Sequence, residues 1–186
     1  MFFSKFIYSV FAVASIATVG FASPVAQPAG ELTARQSSDA VSEIESFQST
    51  ISPLIDQLTQ AAATGADPTP SVNQLSSAFG SSTDSFNKKS GVLVDADAVV
   101  FVDVAVDIVA KLVIALAKVR LNLVVDAKVD LFLSAWLTAL DKFHPGVALQ
   151  IGKGIPKADI SLFASVKLLL SAKVLVLVNV LGIVKV

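Results

Sequence analysis

The sequence predicts an all-α fold, a single helical bundle of about four to five helices in which polar N-terminal helices pack on very apolar C-terminal helices. In the first half of the chain, apolar side chains recur at three- and four-residue steps, as on one face of a helix. In the second half, polar side chains recur mainly every four residues within an apolar background. Clusters of glycine and proline separate these segments and predict the loops between the helices.

Residues 1–22 predict a cleavable secretory signal peptide. Lys5 supplies the positive charge at its start, and the apolar run that follows is uncharged. The Gly20-Phe21-Ala22 sequence places small residues at the two positions that a signal peptidase recognises, so we expect cleavage before Ser23. The mature protein is therefore expected to be secreted, and to be extracellular or associated with the cell wall.

Residues 23–36 predict a disordered leader or a short propeptide, because Pro24, Pro28 and Gly30 interrupt any helical periodicity. Arg35 is either the processing site that ends this propeptide or an ordinary residue of the leader, and the sequence leaves both interpretations open.

Residues 37–90, the polar half, predict amphipathic helices. Ser38 or Asp39 is a suitable N-cap, and Pro53 is expected to kink the first helix or divide it in two. The apolar positions of this first helix are Val41, Ile44, Phe47, Ile51, Leu54, Ile55, Leu58 and Ala62. After a break rich in glycine and proline, a second apolar stripe comprises Val72, Leu75, Phe79 and Phe86.

Residues 91–186, the apolar half, open with a segment that fits both a strand and a helix. In residues 92–108 the even positions are apolar and β-branched residues are abundant, which favours a strand. A longer polar stripe with mainly four-residue spacing favours a helix, since strands of about five residues would not sustain it. The stripe comprises Asp103, Asp107, Lys111, Lys118, Asn122, Asp126, Asp130, Ser134 and Thr138. We favour the helix and expect one break near residues 120–126.

The last segments of the apolar half are predicted from their helix breakers. The His144-Pro145-Gly146 sequence is expected to end a helix, and the glycines and proline of residues 152–156 are expected to extend the loop. A final helix is expected to begin at Asp159 or Ser161.

Charge and hydropathy also divide the chain. Residues 23–87 carry one Arg and seven acidic residues, whereas residues 88–186 carry twelve basic residues and eight Asp. The mean hydropathy of +0.73 is high, yet no uncharged run of the apolar half reaches the ~20 residues of a bilayer-spanning helix, so we expect no membrane span in the mature chain. The absence of cysteine excludes disulfide frameworks such as that of the hydrophobins.

Few residues are candidates for chemistry, and we predict no catalytic, cofactor-binding or metal-binding residue. The single histidine, His144, has no recognisable nucleophile motif in the sequence to act on, and without cysteine it makes a poor zinc site. Asp95 and Asp97 are interpreted as the acidic start of a helix, not as a calcium loop. The Gly152-Lys153-Gly154 sequence is too short for a phosphate loop.

Aromatic and basic residues of the apolar half receive structural interpretations. Trp136, with Phe132 and Phe143 nearby, is expected in the core. The lysines of the last third are interpreted as a solubilising edge, with contact to anionic lipid or acidic glycan as the alternative. These lysines are Lys153, Lys157, Lys167, Lys173 and Lys185.

The halves together favour an amphiphilic structural or interaction protein acting at the cell wall or at hydrophobic interfaces. The alternative is a secreted helical module that binds a lipid or sterol, and an effector that acts on a host is a third possibility. An enzyme is not expected. The expected partners are hydrophobic surfaces or cell-wall components, with self-association and lipid binding also open and nucleic acid excluded. Without disulfides, the bundle is expected to open readily at an interface.

The organisation of the chain resembles that of a group of fungal proteins. The Ala34-Arg35-Gln36 sequence after a signal, the Ser/Thr-rich residues 37–90, the apolar residues 91–186 and the lack of cysteine resemble small secreted proteins of mushroom-forming fungi. That resemblance implies a role beside hydrophobins in aerial-hypha formation and attachment. Residues 41–58 are also similar to the amphipathic segments of fungal hydrophobic-surface-binding proteins. Neither resemblance supplies a catalytic residue.

Overall fold

The computed structural model describes residues 29–89, 91, 93–119 and 123–177, which form seven α-helices and no strand. The helices are α1 (Ala29–Thr64), α2 (Thr69–Lys88), α3 (Asp95–Lys118), α4 (Leu123–Phe143), α5 (Val147–Gly154), α6 (Lys157–Ser165) and α7 (Leu169–Val174). This confirms the all-α class. The number of helices exceeds the expected four to five, because the last third of the chain forms three short helices. The predicted signal peptide lies outside the described residues.

Helix α1 begins earlier than the sequence suggested and is not divided. Residues 29–36, assigned to the predicted leader, are helical, and Arg35 pairs with Glu31 one turn earlier at 2.7 Å. Ser38 and Asp39 therefore lie inside the helix and do not cap it. The helix continues through Pro53, whose ring is exposed, because apolar side chains on both sides of the proline are buried against the other helices.

The turn between α1 and α2 is built from local backbone geometry. Gly65 adopts a left-handed conformation with φ of 72°, which a side chain would disfavour. The Ala66 N–H donates to the Ala61 carbonyl at 3.0 Å and closes the C-terminus of α1. The Asp67 carboxylate then accepts from the Thr69 N–H at 2.9 Å, which satisfies one free donor at the start of α2.

The hydroxyl groups of α1 and α2 bond largely to their own helices. Thr50, Ser52 and Thr83 each donate to the carbonyl four residues earlier, at 2.8–2.9 Å. The predicted apolar stripe of α2 is confirmed, since Val72, Leu75, Phe79 and Phe86 are all buried. Helices rich in Ser and Thr thus fold here because one apolar stripe is buried and the hydroxyl donors find carbonyl acceptors within the helix.

Residues 95–108 are helical, which confirms the helix and rejects the strand for this part of the chain. Asp95 and Asp97 lie in the first turn of α3, and Lys111 pairs with Asp107 at 2.7 Å. The residue before α3 is hydrogen-bonded to another helix. The Val94 N–H donates to the Ser37 hydroxyl of α1 at 3.0 Å. The predicted break is also found, since α3 and α4 are separate helices.

The helices pack in a closed arrangement. Helix α1 packs on α2 and on α3, and α2 packs on α4. Helix α5 contacts both α3 and α4, while α6 packs on α3 and α7 packs on α4. Contacts between α6 and α7 complete the bundle. Each helix of the polar half therefore covers one long helix of the apolar half, and the three short helices cover the remaining sides.

Aromatic side chains connect the two halves in the core. Trp136 of α4 is fully buried, with ring centroids 5.4 Å from Phe47 and 5.3 Å from Phe79. Its indole N–H donates to the buried Ser82 hydroxyl at 3.0 Å. Phe143 belongs to a second group, in which its ring lies 5.7 Å from that of Phe86. The placement of Trp136 in the core is confirmed, although its ring partners come mainly from the polar half.

The end of the chain differs from the predicted loop and final helix. Residues 147–154 form α5, and its two glycines permit close packing. A Cβ atom at Gly152 would collide with the Leu175 carbonyl oxygen, and one at Gly154 would lie 2.7 Å from a methyl group of Val106. The final helix begins at Lys157 and is interrupted at Lys167, whose φ is 58°. Gly152 and Gly154 are therefore positions where two parts of the chain approach closely, and they are not only helix breakers.

Candidate functional site: a groove between α2, α4 and α7

His144 and its neighbours serve a structural purpose. The Leu93 N–H donates to His144 Nδ1 at 3.1 Å, so this nitrogen is an acceptor. In a Ser-His-Asp arrangement, Nδ1 carries a proton and donates a hydrogen bond to a carboxylate. The Asp141 carboxylate instead accepts from the Gly146 and Ala148 N–H groups, at 3.0 and 3.2 Å. The geometry around His144 thus closes turns and does not arrange a proton-transfer pair.

The other sequence candidates are not brought together. Asp95 and Asp97 remain at the start of α3, and Gly152 is buried within α5. Within the described ranges, no three His, Asp or Glu side chains converge as a metal site requires. Lys153, Lys157, Lys167 and Lys173 are all exposed, and Lys185 lies outside the described residues.

The surface of the apolar half exposes large apolar side chains. Among described residues these side chains all follow Leu93 in the sequence, and none belongs to the polar half. They are Val94, Val99, Val100, Ile114, Leu131, Leu149, Leu169, Leu170 and Val176. Leu131 is 63 % exposed and Leu170 is 50 % exposed, although the chain has buried most of its other leucines. Contiguous exposed apolar surface commonly marks an interaction site.

Leu131 and Leu170 line the same open groove, which has a volume of about 470 Å³. We call it the leucine groove. It lies between α2, α4 and α7, and its described lining consists of Thr83, Asn87, Leu131, Ser134, Ala135, Thr138, Ala139, Lys142, Leu170, Lys173 and Val174. Apolar groups from α4 and α7 form one part of the lining, and hydroxyl and amide groups from α2 and α4 form another.

The charge of the leucine groove has one sign. Lys142 and Lys173 are the charged residues among its described lining, and no acidic residue is found there. Both lysines are exposed, and neither forms an ion pair with another described residue. The groove therefore combines apolar contact area with two cations whose charge is not neutralised by a protein carboxylate.

A buried carboxylate positions one wall of the leucine groove. Asp130, only 5 % exposed, accepts from the Leu170 and Ser171 N–H groups, both at 2.8 Å. The Ser171 hydroxyl donates to the same carboxylate at 2.7 Å. These bonds satisfy free N–H groups at the start of α7. Asp130 thereby holds α7 on α4 and places Leu170 beside Leu131.

Sequence reasoning missed the leucine groove, but it identified part of its wall. Ser134 and Thr138 belong to the predicted polar stripe, and both line the groove. Asp130 belongs to the same stripe, yet it is buried because α7 packs on it. Its partners in α7 lie 40 and 41 residues later in the chain. The available signal was the run of leucines after Lys167, which is too apolar for a surface segment.

Asp126, on the same helix as Leu131, has a perturbed acidity. Burial raises the pKa of its carboxyl above the ordinary value, and the positive charge of Lys167 opposes this rise. In the polar half the effect is opposite, since hydrogen bonds from Thr69 hold the pKa of Asp67 below its ordinary value.

No protein-family model, curated protein or solved structure matches this chain. The two fungal resemblances therefore stay expectations from sequence organisation. Among the described helices, none combines the length and the apolar character that crossing a membrane requires.

Proposed function

We propose that this protein is a secreted amphiphile that attaches to hydrophobic interfaces, including those of the cell wall, through its apolar half and chiefly through the leucine groove. The observation that carries the proposal is the one-sided distribution of exposed apolar side chains, which are confined to the apolar half among described residues. The leucine groove holds two of them, Leu131 and Leu170, in one place. Adhesion and growth into air are the roles that such attachment would serve.

The energy of attachment comes from removing this exposed surface from water. Burial of apolar area contributes about 25 cal/mol per Å², so a half-exposed leucine supplies on the order of 1 kcal/mol. Leu131, Leu169 and Leu170 are each at least half exposed. Together with Val174 of the groove lining, they give an apolar patch whose burial supplies the energy of attachment.

Attachment does not require the bundle to open. The leucines are exposed in the folded chain, whereas Trp136, Phe79 and Phe86 are fully buried and hold the two halves together. Opening the bundle would separate these aromatic contacts at a cost of several kcal/mol. The structure therefore supports docking in the folded state in preference to the interfacial opening expected from the sequence.

The test is adsorption of the mature chain to uncharged polystyrene particles, followed as depletion from solution. We expect the wild-type protein to adsorb and the Leu131→Ser/Leu170→Ser double variant to lose at least half of its affinity. The matched control is Val99→Ser/Val100→Ser, which removes two exposed apolar side chains of α3 outside the groove lining.

Equal loss in both double variants would show that adsorption is not specific to the leucine groove. Wild-type protein that stays in solution would overturn the proposal itself. Circular dichroism of each variant checks that the helices are kept, which we expect because all four substituted side chains are exposed.

A further inference from the structure

We infer that the leucine groove binds a fatty carboxylate with a single chain, with the chain against Leu131 and Leu170 and the carboxylate held by Lys142 and Lys173. This inference uses the same face as the proposed attachment to interfaces and goes beyond it, because it assigns a soluble ligand of defined chemistry. Four observations carry it: the volume of the groove, its length, the sign of its charge and the polar groups of its wall.

The dimensions of the leucine groove suit one molecule with a single chain. Its volume of about 470 Å³ lies within the range of roughly 300–1,000 Å³ that is typical of small-molecule sites. The lining follows α4 from Leu131 to Lys142. At a rise of 1.5 Å per residue, this distance is about 16 Å, which is long enough to hold an extended acyl chain.

The charge of the groove selects the end group. A sterol or a neutral fatty alcohol would contact the leucines but would leave the two lysines without a partner. A carboxylate would accept charge-assisted hydrogen bonds from both ammonium groups, which are stronger than bonds between neutral groups. A cationic amphiphile would be repelled, since the described lining offers no carboxylate to receive it.

The polar part of the groove lining offers one free donor besides the lysines. Thr83 and Asn87 lie one turn apart on α2, and Ser134 and Thr138 lie one turn apart on α4. The Thr83, Ser134 and Thr138 hydroxyls donate to carbonyls of their own helices. Their oxygens accept weakly, so the free donor of this wall is the Asn87 amide, which is exposed. The strongest donors available to an anion are therefore the two lysines.

The experiment is isothermal titration calorimetry of the mature chain with three ligands of equal chain length, each below its micelle concentration. The probes are decanoate, 1-decanol and decyltrimethylammonium. We expect decanoate to bind with one site per chain and at least about tenfold more tightly than 1-decanol. Decyltrimethylammonium is expected to bind more weakly than 1-decanol.

The decisive variant is Lys142→Gln/Lys173→Gln, which removes both charges and keeps a polar side chain that is one atom shorter. It is expected to weaken decanoate binding about tenfold and to leave the affinity for 1-decanol unchanged. The matched control, Lys153→Gln/Lys157→Gln, removes two exposed lysines outside the groove lining and is expected to bind decanoate as the wild type does.

Three results would overturn the inference: no binding of decanoate, equal affinity for decanoate and 1-decanol, or unchanged decanoate binding in Lys142→Gln/Lys173→Gln. Binding only to anionic vesicles, with none to monomeric decanoate, would also overturn it. The proposed attachment is judged separately, because polystyrene particles are uncharged and adsorption to them is expected to be unaffected by the lysine substitutions.

Discussion

Two of the grooves beside α2 differ in the size and the charge of the side chains that line them. The groove between α1 and α2, of about 330 Å³, is lined by small side chains such as Ser46, Ser81 and Ala78, and its one charged residue is the acidic Glu43 among its described lining. The leucine groove, on the side of α2 that faces α4 and α7, contains exposed Leu131 and Leu170. Among described residues, large exposed apolar side chains and lysines thus line the groove on one side of α2 and are absent from the groove on the other.

This difference indicates that the apolar side chains of the apolar half do not all serve to fill the core. Both halves contribute to one continuous core, and α1 and α2 bury their apolar stripes almost completely. The apolar half fills the rest of that core and still leaves large side chains on the surface. These exposed side chains are what the proposed attachment surface requires.

The largest effect is expected where the two halves meet. Trp136→Ala would remove the fully buried indole that contacts Phe47 and Phe79, and would leave the buried Ser82 hydroxyl without its donor. We expect the free energy of unfolding to fall by about 3–5 kcal/mol in urea denaturation followed by circular dichroism. Leu131→Ala, on the same helix, is the control and should change it by less than about 0.5 kcal/mol.

Asp130→Ala should separate α7 from α4 within the apolar half. The substitution leaves the Leu170 and Ser171 N–H groups without their acceptor, which we expect to cost about 2 kcal/mol. Relative to the wild type, hydrogen exchange should become faster at these two amides by a larger factor than at the amides of α1 and α2. Asp103→Ala, an exposed carboxylate on α3, serves as the control. Unchanged exchange at residues 170 and 171 would show that Asp130 does not hold α7.

One substitution, glycine to alanine, is expected to have opposite effects in the two halves. Gly152→Ala would place a methyl group against the Leu175 carbonyl and should destabilise the protein by about 1–3 kcal/mol. Gly80→Ala, in α2, meets no atom within 4 Å and should stabilise it by about 0.5–1 kcal/mol. Urea midpoints measure both. A loss of stability at Gly80 would contradict the open surface assigned to this side of α2.

The smallest effects are expected from pH, again with opposite signs. The lowered pKa of Asp67 means that its ionised form stabilises the fold, and this contribution is lost as the pH falls through that lowered pKa. The raised pKa of Asp126 means that its ionised form is disfavoured, so stability is regained as the pH falls through the raised pKa.

Asn variants separate the two pH effects. At neutral pH, Asp67→Asn should lower the urea midpoint and Asp126→Asn should raise it. Both differences from the wild type should disappear in acid, where all carboxyls are protonated. Midpoints that move in the same direction for the two variants would contradict the assigned shifts.

The sequence predicted those features that depend on local periodicity. The stripes of α1 and α2 were predictable because Ile44, Phe79 and their neighbours follow the helical period over several turns. The choice of a helix for residues 92–108 relied on the same period sustained into α4. The acidic start of α3 at Asp95 and Asp97 was also predictable, since only local charge is involved.

The features that sequence reasoning missed depend on contacts between distant residues. Gly152 and Gly154 suggest a loop when considered alone, and only the approach of Leu175 and Val106 shows why α5 needs them. Asp130 suggests a surface stripe until α7 is placed beside it. The leucine groove exists only once α7 lies along α4, so no local pattern contains it.

The central claim is that the folded protein attaches to apolar surfaces through the leucine groove. Hydrogen exchange of the protein adsorbed to polystyrene, compared with the protein in solution, tests it most directly. We predict added protection in residues 131–142 and 169–177, with the protection of α1 and α2 unchanged. A loss of protection throughout the bundle, or new protection confined to α1 and α2, would contradict the claim.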